Sequence, residues 1–485
     1  MIHISEEAGR CLLCADAPCS KACPAGLDPA RALRALRFDN KAAAGAYLNA
    51  DGCAGCAAPC EAACLHYDHP VRIRETGSAL SRVPEPPKAD LSIEFCGIKC
   101  ENPFFLASSA VCTGYDMVAR AFEAGWAGVF YKTICLEEIK EVSPRFDAVT
   151  DEKGSFIGFR NMEQLSENPA EVDFEILARL KKNYPGKVVV ASIMGKDEKE
   201  WAQLAKMAEA AGVDAIELNF SCPQMKYAGM GSDVGQNGEL VAAYSYIVKQ
   251  NTKLPVIAKM TPNITHITVP AMAAHFAGID GISAINTIKS VTMSEGSAVS
   301  GKKTISGYSG KAVKPIALRH ILEMSANPLM KDTQLSGIGG IETWHDALEF
   351  IELGCSNVQV CTAVMEYGYR IIDDLISGLS AYMTENGIAR AGDLVGRQIR
   401  SFTLPNSLDR STKVFPVIDR NVCIGCGRCY VSCSDGGHQA ITFGEDRQPR
   451  IVGTKCVGCH LCRLVCPTDS IGLAKRVPKR KEKEK

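Results

Sequence analysis

Residues 215–224 read A-I-E-L-N-F-S-C-P-Q, an apolar run that ends in asparagine, serine and cysteine and is stopped by proline. A short apolar run closed by a breaker suits a buried β-strand, and polar residues gathered at its end suit a site more than a core. The pattern recurs upstream in F-F-L-A-S-S (104–109), G-V-F-Y-K-T (128–133) and V-V-V-A-S-I-M (188–194). Downstream it returns in P-V-I-A-K-M-T (255–261), G-I-S-A-I-N-T (281–287), L-S-G-I-G-G-I (335–341) and N-V-Q-V-C-T-A (357–363). Amphipathic stretches such as E-K-E-W-A-Q-L-A-K-M-A-E-A-A and T-W-H-D-A-L-E-F-I-E-L lie between the runs. Strands alternating with helices in this way predict an α/β fold, a (β/α)8 TIM barrel over residues 90–400. Such barrels place their chemistry at the C-terminal strand ends. Ser108, Ser109, Lys132, Asn219, Cys222, Lys259, Asn286, Thr287, Gly339 and Gly340 all fall there.

The chain of 485 residues is too long for one ordinary domain, and 46% hydrophobic content supports a sizeable buried core. A formal charge of −1 gives no global field to draw nucleic acid or an anionic membrane. The first residues lack a signal-peptide pattern, and no run reaches the roughly 20 apolar residues of a membrane span. A cytoplasmic protein is the expectation. In that reducing compartment the 23 cysteines argue for metals over disulfides. Their distribution suggests a helical segment 1–85, the barrel 90–400, a ferredoxin-like segment 410–475, and a flexible tail 476–485 of mixed charge. Pro-rich 81–88 reads as the first linker.

Residues 423–433 (C-I-G-C-G-R-C-Y-V-S-C) and 456–467 (C-V-G-C-H-L-C-R-L-V-C-P) each follow C-x2-C-x2-C-x3-C, the run of bacterial two-cluster ferredoxins. The fourth cysteine of each run crosses to the other cluster in such proteins. That assigns Cys423, Cys426, Cys429 and Cys466 to one [4Fe–4S] cluster, and Cys433, Cys456, Cys459 and Cys462 to the other. A pair of zinc sites is the bland alternative. Near the N-terminus, C-L-L-C-A-D-A-P-C-S-K-A-C-P (11–24) and C-A-G-C-A-A-P-C-E-A-A-C (53–64) flank a stretch, A-R-A-L-R-A-L-R-F-D-N-K-A-A-A-G-A-Y-L, that reads as helix. Eight thiols suit two more clusters, with a zinc-binding module as the alternative.

The N-terminal pattern resembles the iron–sulfur domain of glutamate synthase small subunits and dihydropyrimidine dehydrogenases. The resemblance implies crossed ligation, with Cys11, Cys14, Cys19 and Cys64 on one cluster and Cys23, Cys56 and Cys60 on the next. A glutamine completes the second set in the mammalian dehydrogenases. The matching region here, P-V-R-I-R-E-T-G, has none, and Cys53, outside the family spacing, is the expected substitute.

N-F-S-C-P, G-F-R-N-M-E-Q, I-A-K-M-T-P-N, S-A-I-N-T and S-G-Y-S-G-K-A-V-K-P-I-A-L resemble the FMN domain of the dihydropyrimidine dehydrogenases, itself similar to dihydroorotate dehydrogenases. The resemblance runs from about residue 90 through the ferredoxin-like end, and departs in the added N-terminal clusters. It implies that Asn161, Glu163, Asn219, Ser221, Asn286 and Thr287 surround a pyrimidine. Uracil alternates carbonyl acceptors with N–H donors, and amide side chains offer both. It further implies flavin contacts from Ala107, Ser108, Ser109, Lys132, Thr133, Asn161, Asn219 and Asn286, with Lys259 beside the flavin's pyrimidine edge. Ser309, Gly310, Gly339, Gly340, Cys361, Thr362 and Ala363 would form the phosphate site that barrels build after strands seven and eight.

Reducing the 5,6 bond of uracil needs a hydride from flavin at C6 and a proton at C5 from the opposite face. A thiol, with an ordinary pKa near 8.5, stays protonated at neutral pH and can give that proton. The resemblance gives the role to Cys222, against the bland reading of a buried thiol. Cys96, Cys100, Cys112, Cys135 and Cys355 read as core or surface residues. Residues 289–308, Ser/Gly-rich and long, read as a lid over the substrate.

No G-x-G-x-x-G follows a strand, so electrons are expected from a separate FAD/NAD(P)H subunit or a ferredoxin, by way of four clusters. A homodimer within a larger heteromer follows from the resemblance. The expected activity is that of a dihydropyrimidine dehydrogenase-type oxidoreductase working on uracil or thymine and their dihydro forms. Two other readings stand beside it: a flavin and iron–sulfur electron-transfer subunit, and a related barrel enzyme acting on another cyclic amide or enone.

Overall fold

A computed structural model describes residues 4–66, 68–83, 89–151, 154, 156–223, 225, 230–293, 301–403 and 405–479. The chain forms two compact units, Met1–Arg400 and Ser401–Lys485. In the first, eight parallel strands close a barrel: Phe104–Leu106, Gly128–Phe130, Val188–Ile193, Ala215–Asn219, Val256–Lys259, Gly281–Ala284, Gln334–Ile338 and Cys355–Val360. Each of the eight predicted runs supplies one strand. Closure comes from the eighth pairing with the first, Val358 against Phe104 and Val360 against Leu106. All six residues of Val188–Ile193 and all five of Ala215–Asn219 are buried. Burial on both faces is why these strands read as continuous apolar runs without alternation.

Both quoted amphipathic stretches are helices, and their caps explain their starts. Asp197 accepts from the Glu200 N–H ahead of Glu198–Ala210, and Thr343 with Asp346 makes a capping box for Trp344–Glu352. The stretch between the N-terminal cysteine runs is helical as expected, with a break inside it. It forms two helices, Pro29–Arg37 and Lys41–Tyr47, because Asp39 turns left-handed at φ 58° and Asn40 caps the second helix through the Ala43 N–H. These helices belong to the first compact unit, and Phe38 joins the barrel's hydrophobic core with its ring edge-on to Tyr367.

A departure lies above the barrel. A four-stranded antiparallel sheet is ordered Ile288–Ser290, Ser306–Ser309, Phe156–Asn161, Phe146–Thr150. The region 289–308, read as a long Ser/Gly-rich lid, is therefore strand at both ends. Its close pairing needs Gly307, where an added Cβ would lie 2.4 Å from Thr287 Oγ1. Residues 294–300, the middle of the expected lid, lie outside the described residues, as do 84–88 of the linker and 480–485 of the tail.

The second unit has a repeated plan. Arg428–Gly436 and Leu461–Leu464 are helices that begin within the two cysteine runs, and strand pairs Pro416–Ile418 with Ile471–Leu473 and Ile441–Phe443 with Pro449–Ile451 flank them. Among the described residues no helix is long and apolar enough to cross a membrane.

Candidate active site and iron–sulfur centres

The C-terminal ends of the barrel strands and the antiparallel sheet enclose a cleft of about 1080 Å3, counted to its open mouth. Every residue assigned from sequence to the substrate, flavin or phosphate lines this cleft except Ser221. Ser221 is fully buried behind the wall, where it holds two of the others in place. Its N–H and hydroxyl donate to Asn219 Oδ1 at 3.1 and 2.9 Å, and its Oγ accepts from Asn286 Nδ2 at 2.8 Å. Asn219 Nδ2 donates in turn to Thr133 Oγ1 at 2.9 Å. Both amides are thereby fixed in orientation.

The cleft also carries charge. Lys132, just past the second strand, forms an ion pair with Glu163 Oε2 at 2.9 Å, and Arg145 reaches the other carboxylate oxygen at 3.3 Å. The Glu163 N–H donates to Asn161 Oδ1 at 2.6 Å, so one turn orients both residues. Lys259 closes the fifth strand, buried, with Nζ 3.6 Å from Glu217 Oε1. Cys222 lines the cleft at 5% exposure. Its carbonyl accepts from the Ser232 N–H at 2.9 Å and lies against Gly231, whose φ is 57°. Positions 224 and 226–229, which follow it, lie outside the described residues.

Gly339 and Gly340, with φ of 125° and 76°, turn the chain after the seventh strand. A Cβ at Gly340 would sit 2.9 Å from the Gly310 carbonyl and from Lys314. The close approach leaves a glycine-walled cradle beside Cys361, Thr362 and Ala363, a shape that admits a phosphate. With the two lysines and the fixed amides, the residues present fit FMN.

Sequence reasoning missed Lys311, Glu342, Gln359, Phe146 and Phe159, which also line the cleft. The two phenylalanines pack with ring centroids 5.3 Å apart on the antiparallel sheet, which the sequence did not reveal. Glu217 was missed too, although its signal was legible: a lone carboxylate in the middle of A-I-E-L-N-F.

The cysteines gather by set. Cys423, Cys426, Cys429 and Cys466 line one small cavity, and Cys433, Cys456, Cys459 and Cys462 line another. Cys11, Cys14, Cys19 and Cys64 surround a third. Among the described residues no three His, Cys, Asp or Glu side chains close on one point as a single-ion site would require. Cys53 and Cys60 both lie within electrostatic reach of Cys23 and Cys56, and Cys53 Sγ abuts Gly77.

This fold and cleft define a class. The dihydroorotate dehydrogenase family profile matches residues 90–383, and a 4Fe-4S dicluster domain matches 416–473. The chain belongs to the dihydroorotate dehydrogenase family of barrel oxidoreductases. Within it, the chain groups with the dihydropyrimidine dehydrogenases. It is 51% identical over 402 residues to the NAD-dependent dihydropyrimidine dehydrogenase subunit PreA of Escherichia coli (strain K12), covering 81% of this chain and 98% of that relative. The chloroplastic dihydropyrimidine dehydrogenase (NADP(+)) of Arabidopsis thaliana is 40% identical over 342 residues, 67% of this chain and 80% of the relative. A catalytic subunit of dihydroorotate dehydrogenase B (NAD(+)) from Pyrococcus abyssi is 37% identical over 316 residues, 64% of this chain and 99% of its own. A crystal structure of the Eimeria tenella dihydroorotate dehydrogenase, in complex with ferulenol, superposes with a TM-score of 0.53 at 18% identity, covering 64% of this chain and 89% of that one, and bears on the fold alone.

Proposed function

We propose that this chain catalyses reversible reduction of the 5,6 double bond of uracil or thymine in the cleft described above. The observation that carries the proposal is the convergence of Cys222, Asn161, Glu163, Asn219, Asn286 and Thr287 on one wall system with Lys132 and Lys259. Bound against the glycine cradle and the two lysines, FMN supplies the two-electron chemistry at C6. The chain's own residues do the rest. The amides of Asn161, Asn219 and Asn286 read the alternating donors and acceptors of the ring, and Glu163 accepts a ring N–H. Cys222 Sγ holds the proton delivered to C5 and takes it back in the oxidative direction. Its near-complete burial keeps bulk water from competing for that proton.

The sixteen cysteines of the four sets hold [4Fe–4S] clusters, with Cys53 as the fourth ligand beside Cys23, Cys56 and Cys60. The segments 1–85, 90–400 and 410–475 act as an electron-receiving module, a catalytic barrel and a ferredoxin-like module. Electrons arrive from a separate FAD and NAD(P)H subunit, a reading supported by the designation of the Escherichia coli relative as a subunit. Working chains pair as a homodimer within that heteromer. Clusters of thiolates on this scale suit a reducing cytoplasm.

The test is anaerobic. The purified chain, its flavin reduced chemically, is mixed with uracil while flavin absorbance and dihydrouracil are followed. Reoxidation with dihydrouracil formed is the expected result; inertness toward both uracil and thymine would refute the substrate assignment. In Cys222→Ala the flavin still reduces, while turnover falls by roughly 100-fold or more, the usual worth of a positioned acid. Unchanged turnover would remove Cys222 from the mechanism and favour a flavin relay.

A further inference from the structure

We propose that Glu217 is a positioning residue that keeps Lys259 in its charged form beneath the site, and so sets the electron affinity of the flavin. The proposal rests on the reading of Lys259 as the cation beside the bound flavin. Glu217 lies on the fourth strand, 0% exposed, with no solvent to stabilise its charge. Both carboxylate oxygens are engaged by hydroxyls: Ser192 Oγ donates to Oε1 at 3.0 Å and Ser283 Oγ to Oε2 at 2.6 Å. Lys259 Nζ stands 3.6 Å from Oε1, on a residue itself 3% exposed. Three strands thus converge on one carboxylate, and the Ser192 hydroxyl continues through Thr133 to Asn219 at 2.9 Å steps.

A buried ion pair is a unit. Stripped of its partner, a buried lysine gives up its proton, and buried lysines titrating as low as pH 5–6 are documented. Other ionisable groups face the same interior without replacing Glu217. Lys132 is held by Glu163 at 2.9 Å. The Cys112 and Cys361 thiols lie within reach of Lys259, and burial pushes Cys112 up to about 12 and Cys361 upward, so both are neutral. Glu217 is therefore the counter-charge on which the Lys259 ammonium depends.

Sulfite is the probe. It adds reversibly to N5 of oxidised flavin, and its binding strengthens with positive charge at the pyrimidine edge. In Lys259→Met, sulfite binds roughly tenfold or more weakly at every pH, the loss of one nearby charge in a low-dielectric site. Glu217→Gln matches that loss at about pH 8.5 and, relative to the parent, recovers toward about pH 6 as Lys259 regains its proton. The flavin midpoint potential follows the same course. Glu217→Asp, which keeps the charge, retains the parent's profile and serves also if the Gln variant fails to fold. Should K259M weaken sulfite while E217Q leaves it unchanged at both pH values, or should E217D behave as E217Q, Glu217 does not hold the charge and the proposal is overturned. If K259M has no effect, the placement of Lys259 beside the flavin is what fails.

Discussion

Glu342 shows how one residue's surroundings become a pH dependence. It lines the cleft two residues past Gly340, and burial pushes its carboxyl up from 4.5 to about 7; Lys311 pulls it down while Glu366 and Asp346 push it further up. A carboxyl raised in the folded state holds a proton that the unfolded chain releases. The stability linked to that proton is complete below about pH 4.5 and lost as pH rises to about 7, a fall of order 3 kcal/mol. Glu342→Gln keeps the neutral shape and removes the titration. The variant should melt a few °C above the parent at about pH 8 and level with it at about pH 5, measured by calorimetry. A constant difference at both values would assign the effect to packing. Nothing in G-G-I-E announces this behaviour, because the shift comes first from burial in the folded chain and then from the Glu366 and Asp346 charges.

Elements were legible where burial was uniform. The eight barrel strands stand out because both faces are apolar, and the polar residues at their ends stand out because the pattern stops there. The antiparallel sheet was not legible: Phe146–Thr150 is half-exposed and Ile288–Ser290 is three residues long, so neither carries a period. The helical stretch at 30–48 concealed its break, since the left-handed Asp39 sits between two segments rich in good helix formers. The seventh strand's exit could be read because only glycine fits there. At Gly340 a side chain meets backbone 2.9 Å away at a φ of 76°. Gly340→Ala is expected to cost about 1–3 kcal/mol at the turn and to weaken FMN retention roughly tenfold, read by equilibrium dialysis of the flavin. Retention at the parent level would mean that the turn relaxes without disturbing the cradle.

At the scale of the whole chain, the N-terminal cysteine segment is fastened to the barrel rather than tethered beside it. Coverage of 98% of the Escherichia coli relative by 81% of this chain leaves 19% of the chain without a counterpart there (100% − 81%). Arg34 carries much of the fastening: Nε bonds Asp374 Oδ2 at 2.6 Å in the interface, and Nη2 reaches Asp373 at 3.2 Å. Asn40 donates to Ser377 at 2.8 Å, and Trp344 Nε1 to the Asp39 carbonyl at 3.0 Å. Farther along, Arg37 and Arg370 donate to the carbonyls of Cys11 and Leu13 at 3.3 and 2.6 Å, gripping the loop that bears the first cysteines. Burial is heavy enough to raise Asp374 to about 6 even with Arg34 against it. Removing one partner of such a pair strands the other charge, at about 3–5 kcal/mol, whereas replacing both with apolar groups is near neutral. Arg34→Met should therefore speed amide exchange in Pro29–Arg37 and Lys41–Tyr47 while the barrel strands hold their protection. Adding Asp374→Leu should restore it. Exchange that stays slow in Arg34→Met would place the fastening in Phe38 and the two loop-gripping arginines; exchange that stays fast in the double variant would mean that the ion pair itself, and not the avoidance of a stranded charge, joins the two segments.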